Sequence, residues 1–291
     1  MIFVIGSPRS GTTLLMQFLS QTGKFGYPSN FISRFYKAPY WGIQLQNLLT
    51  APEYDFNNEF FDLQPVKSFN SYLGKTQGLL APNEFWYFWC RFFCFPKNCH
   101  QMSPEFLSSV NTALIGRELS AMEDAFGKPL VFKGMMMNWN LDFLFEMLNR
   151  KAIFVFIERE PAYNVQSLLK ARQSFWNSEE TWYSFKPPEY QELIRFDAIK
   201  QVAGQIHYTN KAIRESLEAM PTANRIFLQY EKFCQSPTEL LIELSDRYQE
   251  LGVSYDMRSG SYESFTPTNT VRVSSKRWGA IIAAVDLFKK A

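Results

Sequence analysis

The stretch Ile2-Phe3-Val4-Ile5-Gly6-Ser7-Pro8-Arg9-Ser10-Gly11-Thr12-Thr13 decides the fold of this chain of 291 residues. Its first four residues are an apolar run that predicts a buried strand, and the apolar spacing of the following segment, Leu14–Leu19, predicts a helix. A turn bounded by glycines at the start of a helix directs several backbone N–H groups toward one point, where the helix dipole also favours negative charge. The stretch therefore predicts an anion-binding loop; the alternative interpretation is a glycine-rich turn that binds nothing.

The position of the cation separates this loop from the phosphate-binding loop of nucleotide hydrolases. In both, four residues separate two glycines, here Gly6 and Gly11, but Thr12 occupies the position of the hydrolase lysine. That lysine neutralises the β- and γ-phosphates of the nucleotide. Here the cation is Arg9, within the loop, which argues against ordinary ATP or GTP hydrolysis and indicates a different anion.

The segment from Ser7 to Leu15 resembles the loop that binds the 5′-phosphosulfate in sulfotransferases of the bacterial type, which use 3′-phosphoadenosine 5′-phosphosulfate (PAPS) as sulfuryl donor. The resemblance implies that the loop residues bind this end of PAPS: Pro8, Arg9, Ser10, Gly11, Thr12 and Thr13. It also implies that the loop itself supplies the positive charge, so that no metal ion is expected.

A second part of the sequence supports the same resemblance. Ala152–Ile157 predicts a buried strand, and Pro161 suits the first position of the next helix because proline lacks the N–H group that would have no partner there. Sulfotransferases have an arginine after such a strand and a serine further along the helix that bind the 3′-phosphate; the matching residues here are Arg159 and Ser167. Alternatively, Arg159 forms a surface salt bridge with a neighbouring glutamate and Ser167 is solvated.

Strand-like runs alternate with helical segments along the chain and predict an α/β fold. The runs Pro129–Lys133 and Arg225–Gln229 join the two strands named above, and alternation with helices favours parallel pairing. We expect a central parallel sheet flanked by helices, with aromatic-rich helical insertions; the resemblance implies the P-loop hydrolase-like fold of sulfotransferases. We expect one domain over residues 1–291, with a substrate-facing insertion over residues 25–100.

Several helices are predicted from apolar spacing and from end signals. Glu84–Phe95 is apolar on all faces and predicts a buried helix. Ser103 is typical of a residue that begins a helix and Gly127 of one that ends it, so a single helix is predicted between them. The long helical spacing over Glu189–Met220 predicts another, and the Ser-Pro-Thr-Glu sequence from Ser236 predicts a capping box.

Composition and charge argue against several classes of function. With 30 basic and 28 acidic side chains and no long run of either sign, a general nucleic-acid surface is not indicated. No stretch reaches the roughly 18 apolar residues of a membrane span, so we expect no membrane span and a cytoplasmic location. The four cysteines form no Cys-x-x-Cys pair, which argues against zinc.

Sulfuryl transfer requires positive charge around the transferring oxygens and a base that takes the acceptor proton. Lys133, at the end of a predicted strand, is a candidate for this charge, or else a solvated lysine. Glu84 is the first candidate for the base, because its aromatic neighbours are expected to raise its pKa. The alternative for Glu84 is a helix cap or an ion pair with Arg91 or Lys133. His100 is the second candidate base.

The segment near the C-terminus contains Thr268, Asn269 and Arg272, which are candidates to fold over the nucleotide. Lys276 and Arg277 are further candidates, but the glycine-rich nucleotide-binding signature of cytosolic sulfotransferases is absent there, and the alternative is a solvated basic segment.

The expected function is transfer of a sulfuryl group from PAPS to a hydroxyl of a small-molecule, carbohydrate or lipid acceptor, with release of 3′,5′-ADP. An aromatic content of 17% suits a sugar, a phenol or a lipid headgroup equally. One alternative is an ATP-dependent kinase of small molecules with a degenerate phosphate loop, which would need a loop lysine and Mg²⁺ ligands. Another is a nucleotide-binding protein without catalysis.

Overall fold

The computed structural model centres on a sheet of four parallel strands. It describes residues 1–51, 53, 71–255, 257–260 and 262–290, so residues 52 and 54–70 of the predicted insertion lie outside the described residues. In chain order the strands are β1 (Ile2–Ile5), β2 (Ser71–Tyr72), β3 (Lys75–Thr76), β4 (Val131–Lys133), β5 (Ile153–Glu158) and β6 (Arg225–Gln229). The parallel sheet has the order β4-β1-β5-β6, and β2 and β3 form a separate antiparallel hairpin. The α/β fold class predicted from the sequence is confirmed.

The burial of both faces of β1 explains why the sheet forms around it. All of β1 is buried, as expected of a central parallel strand that is covered on both sides. On one face, the Phe3 ring stacks on Phe132 of β4 and Phe154 of β5, with centroid distances of 5.4 and 5.7 Å. On the other face, Ile2 and Val4 pack among aliphatic side chains of β4 and β5. The strands therefore contribute mainly phenylalanine rings to one face of the sheet and aliphatic side chains to the other.

Helices pack against both of these faces and connect the strands. They are α1 (Thr12–Gln21), α2 (Pro39–Thr50), α3 (Trp86–Trp89), α4 (Pro104–Ser109), α5 (Thr112–Phe126), α6 (Leu141–Met147), α7 (Pro161–Trp176), α8 (Tyr190–Leu193), α9 (Ala198–Glu218), α10 (Tyr230–Gln235), α11 (Pro237–Glu250) and α12 (Ser275–Lys289). Within the described part of the chain, none of them combines the length and the apolar character that crossing a bilayer requires.

Two of the predicted helices are divided where a polar side chain caps a new helix. The helix predicted to end at Gly127 is α4 and α5, because the Asn111 side chain accepts a hydrogen bond from the N–H of Leu114 and starts the second. The helix predicted over Glu189–Met220 is α8 and α9, with Asp197 as the cap of the second. Asparagine and aspartate favour such cap positions. The predictions of single helices are therefore wrong.

Two further local predictions are also wrong. The buried helix predicted over Glu84–Phe95 is reduced to α3, since Phe85 before it has a φ of 56° in the left-handed region. The capping box is not formed, since α11 begins at Pro237 and the Ser236 side chain makes no capping hydrogen bond.

The carboxyl ends of the four parallel strands lie along one edge of the sheet. β1 leads into the loop that contains Arg9, Lys133 ends β4, Arg159 follows β5, and Tyr230 follows β6. Open α/β sheets bind their ligands at this edge. Four separate parts of the sequence therefore meet where a site is expected.

Candidate active site

The loop between β1 and α1 has a backbone conformation that requires glycine at position 11. Arg9 has a φ of 70°, so the chain passes through the left-handed region at the predicted cation. Gly11, with a φ of 109°, directly precedes α1, and a Cβ on it would lie 2.5 Å from Cδ2 of Tyr230. Only glycine is compatible with this φ and this close approach. The packing of Tyr230 against the loop therefore depends on Gly11.

Two buried asparagines that were not predicted hold the loop from the protein interior. Asn138 Nδ2 donates a hydrogen bond to the carbonyl oxygen of Gly6 at 3.0 Å, and Asn164 Nδ2 donates to Ser7 Oγ at 3.1 Å. The available signal for Asn164 was an amide in the first turn of a helix that packs on the sheet. For Asn138 the sequence offered no such signal.

A cavity of about 940 Å³ opens at this edge of the sheet. Most of the predicted site residues line it: Pro8, Arg9, Gly11, Thr12, Thr13, Glu84, His100, Lys133 and Arg159. Three other predicted residues, Ser10, Ser167 and Arg272, are not among its lining. The fold therefore brings the loop, both candidate bases and the strand-end cations to one space.

Lys133 joins the loop to Glu84. Its Nζ donates a hydrogen bond to Thr13 Oγ1 at 3.0 Å and lies 2.6 Å from Glu84 Oε1. The side chain of Lys133 is only 9% exposed, so it is not a solvated strand-end lysine. Of the alternatives that the sequence left open for Glu84, the ion pair with Lys133 is the one observed.

The Arg9 side chain is fixed beside Ser167. Its Nε donates a hydrogen bond to Ser167 Oγ at 3.2 Å, so this serine contacts the loop. Burial lowers the pKa of Arg9, and the positive charge of Arg159 acts in the same direction. Two neighbouring guanidinium groups, both charged at neutral pH, favour an anion in the space between them.

Arg159 is held by the segment that follows α11. Its Nε donates to Asn269 Oδ1 at 2.8 Å and its Nη2 donates to the carbonyl oxygen of Thr268 at 2.9 Å. Its guanidinium carbon lies 5.1 Å from the centroid of the Tyr230 ring, and Nη1 lies 3.5 Å from the carbonyl oxygen of Arg9. Arg159 and its partners thus form a cationic clamp directly beside the loop.

The neighbours of this clamp show how the other predicted groups are placed. Glu158 pairs with Arg214, so the alternative in which Arg159 forms a salt bridge with this glutamate is not observed. Arg272 has an exposed side chain, and its contact with α7 is made by its backbone N–H, which donates to Gln166 Oε1 at 2.7 Å.

Comparison with protein families decides what kind of protein this is. The family model described as "Sulfotransferase family" matches residues 2–255. The chain belongs to the sulfotransferase family.

Two solved structures of sulfotransferases share the fold of this one. Sulfotransferase STF9 from Mycobacterium avium is 14% identical, with 100% of this chain and 76% of that chain covered and a TM-score of 0.54. Sulfotransferase STF1 from Mycobacterium tuberculosis H37Rv is 13% identical, with the same coverage of each chain and a TM-score of 0.50. None of the curated proteins compared with the chain matches it.

In this sulfotransferase both oxygens of Glu84 accept hydrogen bonds. Oε1 accepts from Lys133 and Oε2 accepts from Trp86 Nε1 at 2.8 Å. Burial by itself raises the pKa of Glu84, but the charge of Lys133 and these two hydrogen bonds outweigh it, and the pKa lies below its ordinary value. The expectation of a raised pKa is wrong, because the ion pair with Lys133, which the sequence offered as the alternative, is formed.

His100 of the sulfotransferase is enclosed by aromatic rings. Its Nδ1 accepts a hydrogen bond from the backbone N–H of Lys186 at 3.0 Å. Its ring centroid lies 5.6 Å from that of Phe95 and 5.1 Å from that of Phe185. Burial lowers the pKa of His100 to about 4, so the imidazole is neutral at physiological pH.

Three residues that were not predicted, Tyr183, Ser184 and Phe185, line the same cavity. They lie between α7 and α8, and Ser184 has a φ of 71°. Gln205 of α9 fixes this segment, because its Nε2 donates to the carbonyl oxygens of Tyr183 at 3.0 Å and Phe185 at 2.8 Å. The aromatic cluster Trp182–Phe185 was the signal that could have indicated a pocket wall.

The hairpin of β2 and β3 covers the loop of the sulfotransferase. Thr13 Oγ1 donates to the carbonyl oxygen of Gly74 at 3.3 Å, and a Cβ on Gly74 would lie 3.0 Å from Nη1 of Arg9. Lys75 Nζ lies 4.4 Å from the centroid of the Phe175 ring, which anchors the hairpin to α7. This part of the predicted insertion therefore lies against the loop.

Proposed function

We propose that this sulfotransferase transfers a sulfuryl group from PAPS to the hydroxyl of a small-molecule, carbohydrate or lipid acceptor and releases 3′,5′-ADP. The observation that carries the proposal is the convergence of two cationic sites on one cavity. Arg9 lies in a loop at a helix N-terminus, and Arg159 lies beside it, after the neighbouring strand. A donor with a phosphosulfate at one end and a 3′-phosphate at the other would contact both sites.

The donor-binding residues that we propose have groups suited to phosphate and sulfate oxygens. Residues 11–13 begin α1, so their backbone N–H groups have no carbonyl partner within the helix. We assign the 5′-phosphosulfate to the loop and the 3′-phosphate to Arg159 and Ser167, with Arg272 as a nearby cation. The proposed loop ligands are Pro8, Arg9, Ser10, Gly11, Thr12 and Thr13.

Arg9 and Lys133 are the proposed stabilisers of the charge on the transferring group, because both lie at the loop and remain positively charged. Glu84 is the proposed base. Its lowered pKa keeps it ionised at neutral pH and able to accept the proton of the acceptor hydroxyl. His100 is the second candidate for this role.

Thermal unfolding with added nucleotide tests this proposal. Without magnesium, 3′,5′-ADP should stabilise the protein by about 2.7 kcal/mol at roughly a hundredfold excess over its dissociation constant. Arg159→Ala should remove most of this stabilisation. The matched control Arg258→Ala, which removes an exposed arginine paired with Asp246, should keep it.

Stabilisation by Mg·ATP with no response to 3′,5′-ADP would contradict the proposal and indicate a kinase instead. Stabilisation by 3′,5′-ADP without transfer of labelled sulfate to any acceptor would indicate a binding protein.

A further inference from the structure

Aromatic and apolar side chains form part of the cavity wall, and one of them, Met135, contacts Thr12 of the loop. Trp86 stacks on Phe185 with an interplanar angle of 4° and a centroid distance of 5.5 Å, and Leu73 and Met135 also line the cavity. Trp86 is 38% exposed, so one face of a fixed indole ring remains accessible. We refer to Leu73, Trp86, Met135 and Phe185 as the acceptor wall. Such a wall suits a flat apolar body.

The amide side chains next to this wall are paired with one another. Asn83 Nδ2 donates to Asn30 Oδ1 at 2.7 Å, and Asn83 Oδ1 accepts from the N–H of Phe85 at 2.7 Å. Asn30 Nδ2 donates to the carbonyl oxygen of Gly78 at 2.8 Å. A sugar needs several fixed donors and acceptors for its hydroxyl groups, and these amides are already used to hold the structure.

A charged pair lies at the edge of one aromatic ring of this wall. Trp86 Nε1 donates to Glu84, and Glu84 in turn is paired with Lys133, so a carboxylate and an ammonium group stand at the edge of the indole ring. The hydroxyl group of Tyr183 belongs to the same cavity. This arrangement fits a ligand with one reacting hydroxyl at the edge of a flat ring.

The low proton affinity of the two candidate bases also favours an acceptor with an acidic hydroxyl. The pKa of Glu84 is lowered below its ordinary value, and that of His100 is lowered to about 4. A weak base assists best when the hydroxyl is itself acidic. The phenol of tyrosine has an ordinary pKa of about 10, whereas an aliphatic alcohol is far less acidic.

We propose that the acceptor is a phenol, whose ring lies against Trp86 and whose hydroxyl meets the Glu84–Lys133 pair. This inference rests on the proposed function. A lone pair of the phenol oxygen forms the new S–O bond, and the S–O bond to the 5′-phosphate breaks with its electrons on the phosphate oxygen. The phenol proton passes to Glu84. The products are the aryl sulfate, 3′,5′-ADP and one proton.

Matched acceptors of one ring system test the inference. With labelled PAPS, β-naphthol should be sulfated with a kcat/KM about a hundredfold or more above that of β-naphthylmethanol, which has the same ring but an alcohol hydroxyl. The kcat/KM for methyl glucoside should be lower than that for β-naphthylmethanol. An equal or higher kcat/KM for the alcohol or the glucoside would overturn the inference.

Variants of the indole platform provide an independent test. Trp86→Ala should raise the KM for β-naphthol about tenfold, which corresponds to about 1.4 kcal/mol, and Trp86→Phe should restore most of the affinity. Tyr87→Ala, a control that removes an exposed aromatic ring outside the lining, should leave the KM unchanged. An unchanged KM in Trp86→Ala would overturn the inference.

Nucleotide binding separates this inference from the function on which it rests. Each variant is first tested for stabilisation by 3′,5′-ADP, which shows that it is folded and that its donor site is intact. If the unaltered protein shows no such stabilisation and no sulfate transfer, the proposed function fails. If it binds 3′,5′-ADP and prefers alcohols or sugars, only the phenol inference fails.

Discussion

At the scale of single residues, Lys133 has the contacts to link donor binding to proton transfer. It donates to Thr13 of the loop and pairs with Glu84, and it is nearly buried. The same ammonium group therefore faces the proposed donor and lowers the pKa of the proposed base. Burial raises the pKa of Glu84, and Lys133 together with the Trp86 hydrogen bond lowers it by more.

Replacing Lys133 should change both the rate and its pH dependence. In Lys133→Met the charge and hydrogen bond that lower the pKa of Glu84 are lost while burial still raises it, so the pKa rises. Because the base must be ionised, the acid limb of the kcat/KM profile should move to higher pH, and kcat should fall about a hundredfold or more.

Lys133→Arg is the control for this change, because it keeps a positive charge beside Glu84 and should keep the acid limb near its original pH. An acid limb that is the same in Lys133→Met as in the unaltered protein would show that Glu84 is not the base.

At the scale of secondary-structure elements, α9 fixes the position of a part of the cavity wall, residues 183–185, that lies outside this helix. Gln205 holds the backbone of Tyr183 and Phe185, and its Oε1 accepts from Nη2 of the fully buried Arg172 at 3.3 Å. Arg172 Nη1 also donates to Gln201 of the same helix at 2.8 Å. The segment between α7 and α8 is thereby fixed to the interior by polar contacts.

Gln205→Leu should therefore loosen this wall without altering the donor clamp. It removes the donor to the carbonyl oxygen of Tyr183, the shorter of two hydrogen bonds to that of Phe185 and a partner of Arg172, at a cost in the free energy of unfolding of about 1–3 kcal/mol. The acceptor KM should rise while stabilisation by 3′,5′-ADP persists. Gln173→Leu, at an exposed position of α7, is the matched control and should change neither quantity. An unchanged acceptor KM in Gln205→Leu would contradict this account.

The elements that could be predicted from the sequence are those set by local pattern. Each strand of the parallel sheet is a short apolar run, so its place was visible in the sequence. The ends of α4 and α8 could not be predicted, because Asn111 and Asp197 leave the apolar spacing intact and act only through their side-chain caps. Tertiary structure decides whether such a residue caps a helix or continues one.

The residues of the proposed donor site could be chosen from the sequence more readily than those of the proposed acceptor site, for a related reason. The loop residues follow one another in the chain, and Arg159 directly follows a strand. The pairing of Glu84 with Lys133 joins positions 49 residues apart, and the contact of Gln205 with Phe185 joins positions 20 apart. Such contacts depend on how elements pack, which one sequence does not reveal.

At the scale of the whole molecule, the half-buried neutral His100 makes stability depend on pH. Its pKa in the folded protein is about 4, below the 6.5 of an unperturbed histidine. As the pH falls, His100 therefore becomes protonated at a higher pH in the unfolded chain than in the folded protein. The contribution of His100 to stability is complete above about pH 6.5 and is lost progressively toward about pH 4.

The expected loss is about 3 kcal/mol in the free energy of unfolding over this range. His100→Asn keeps an acceptor for the N–H of Lys186 but has no ionisable ring, so its stability should fall less between neutral pH and about pH 4. Urea unfolding at both pH values measures the difference. An equal fall in both proteins would show that His100 is not responsible.

The clamp around Arg159 has a consequence for how the protein is made. Its partners Thr268 and Asn269 are separated from it by 109 and 110 positions. A ribosome releases all four strands of the sheet before it adds these two residues. The nascent chain can thus form its sheet before the partners of Arg159 are available, so the proposed nucleotide site is completed only late in synthesis.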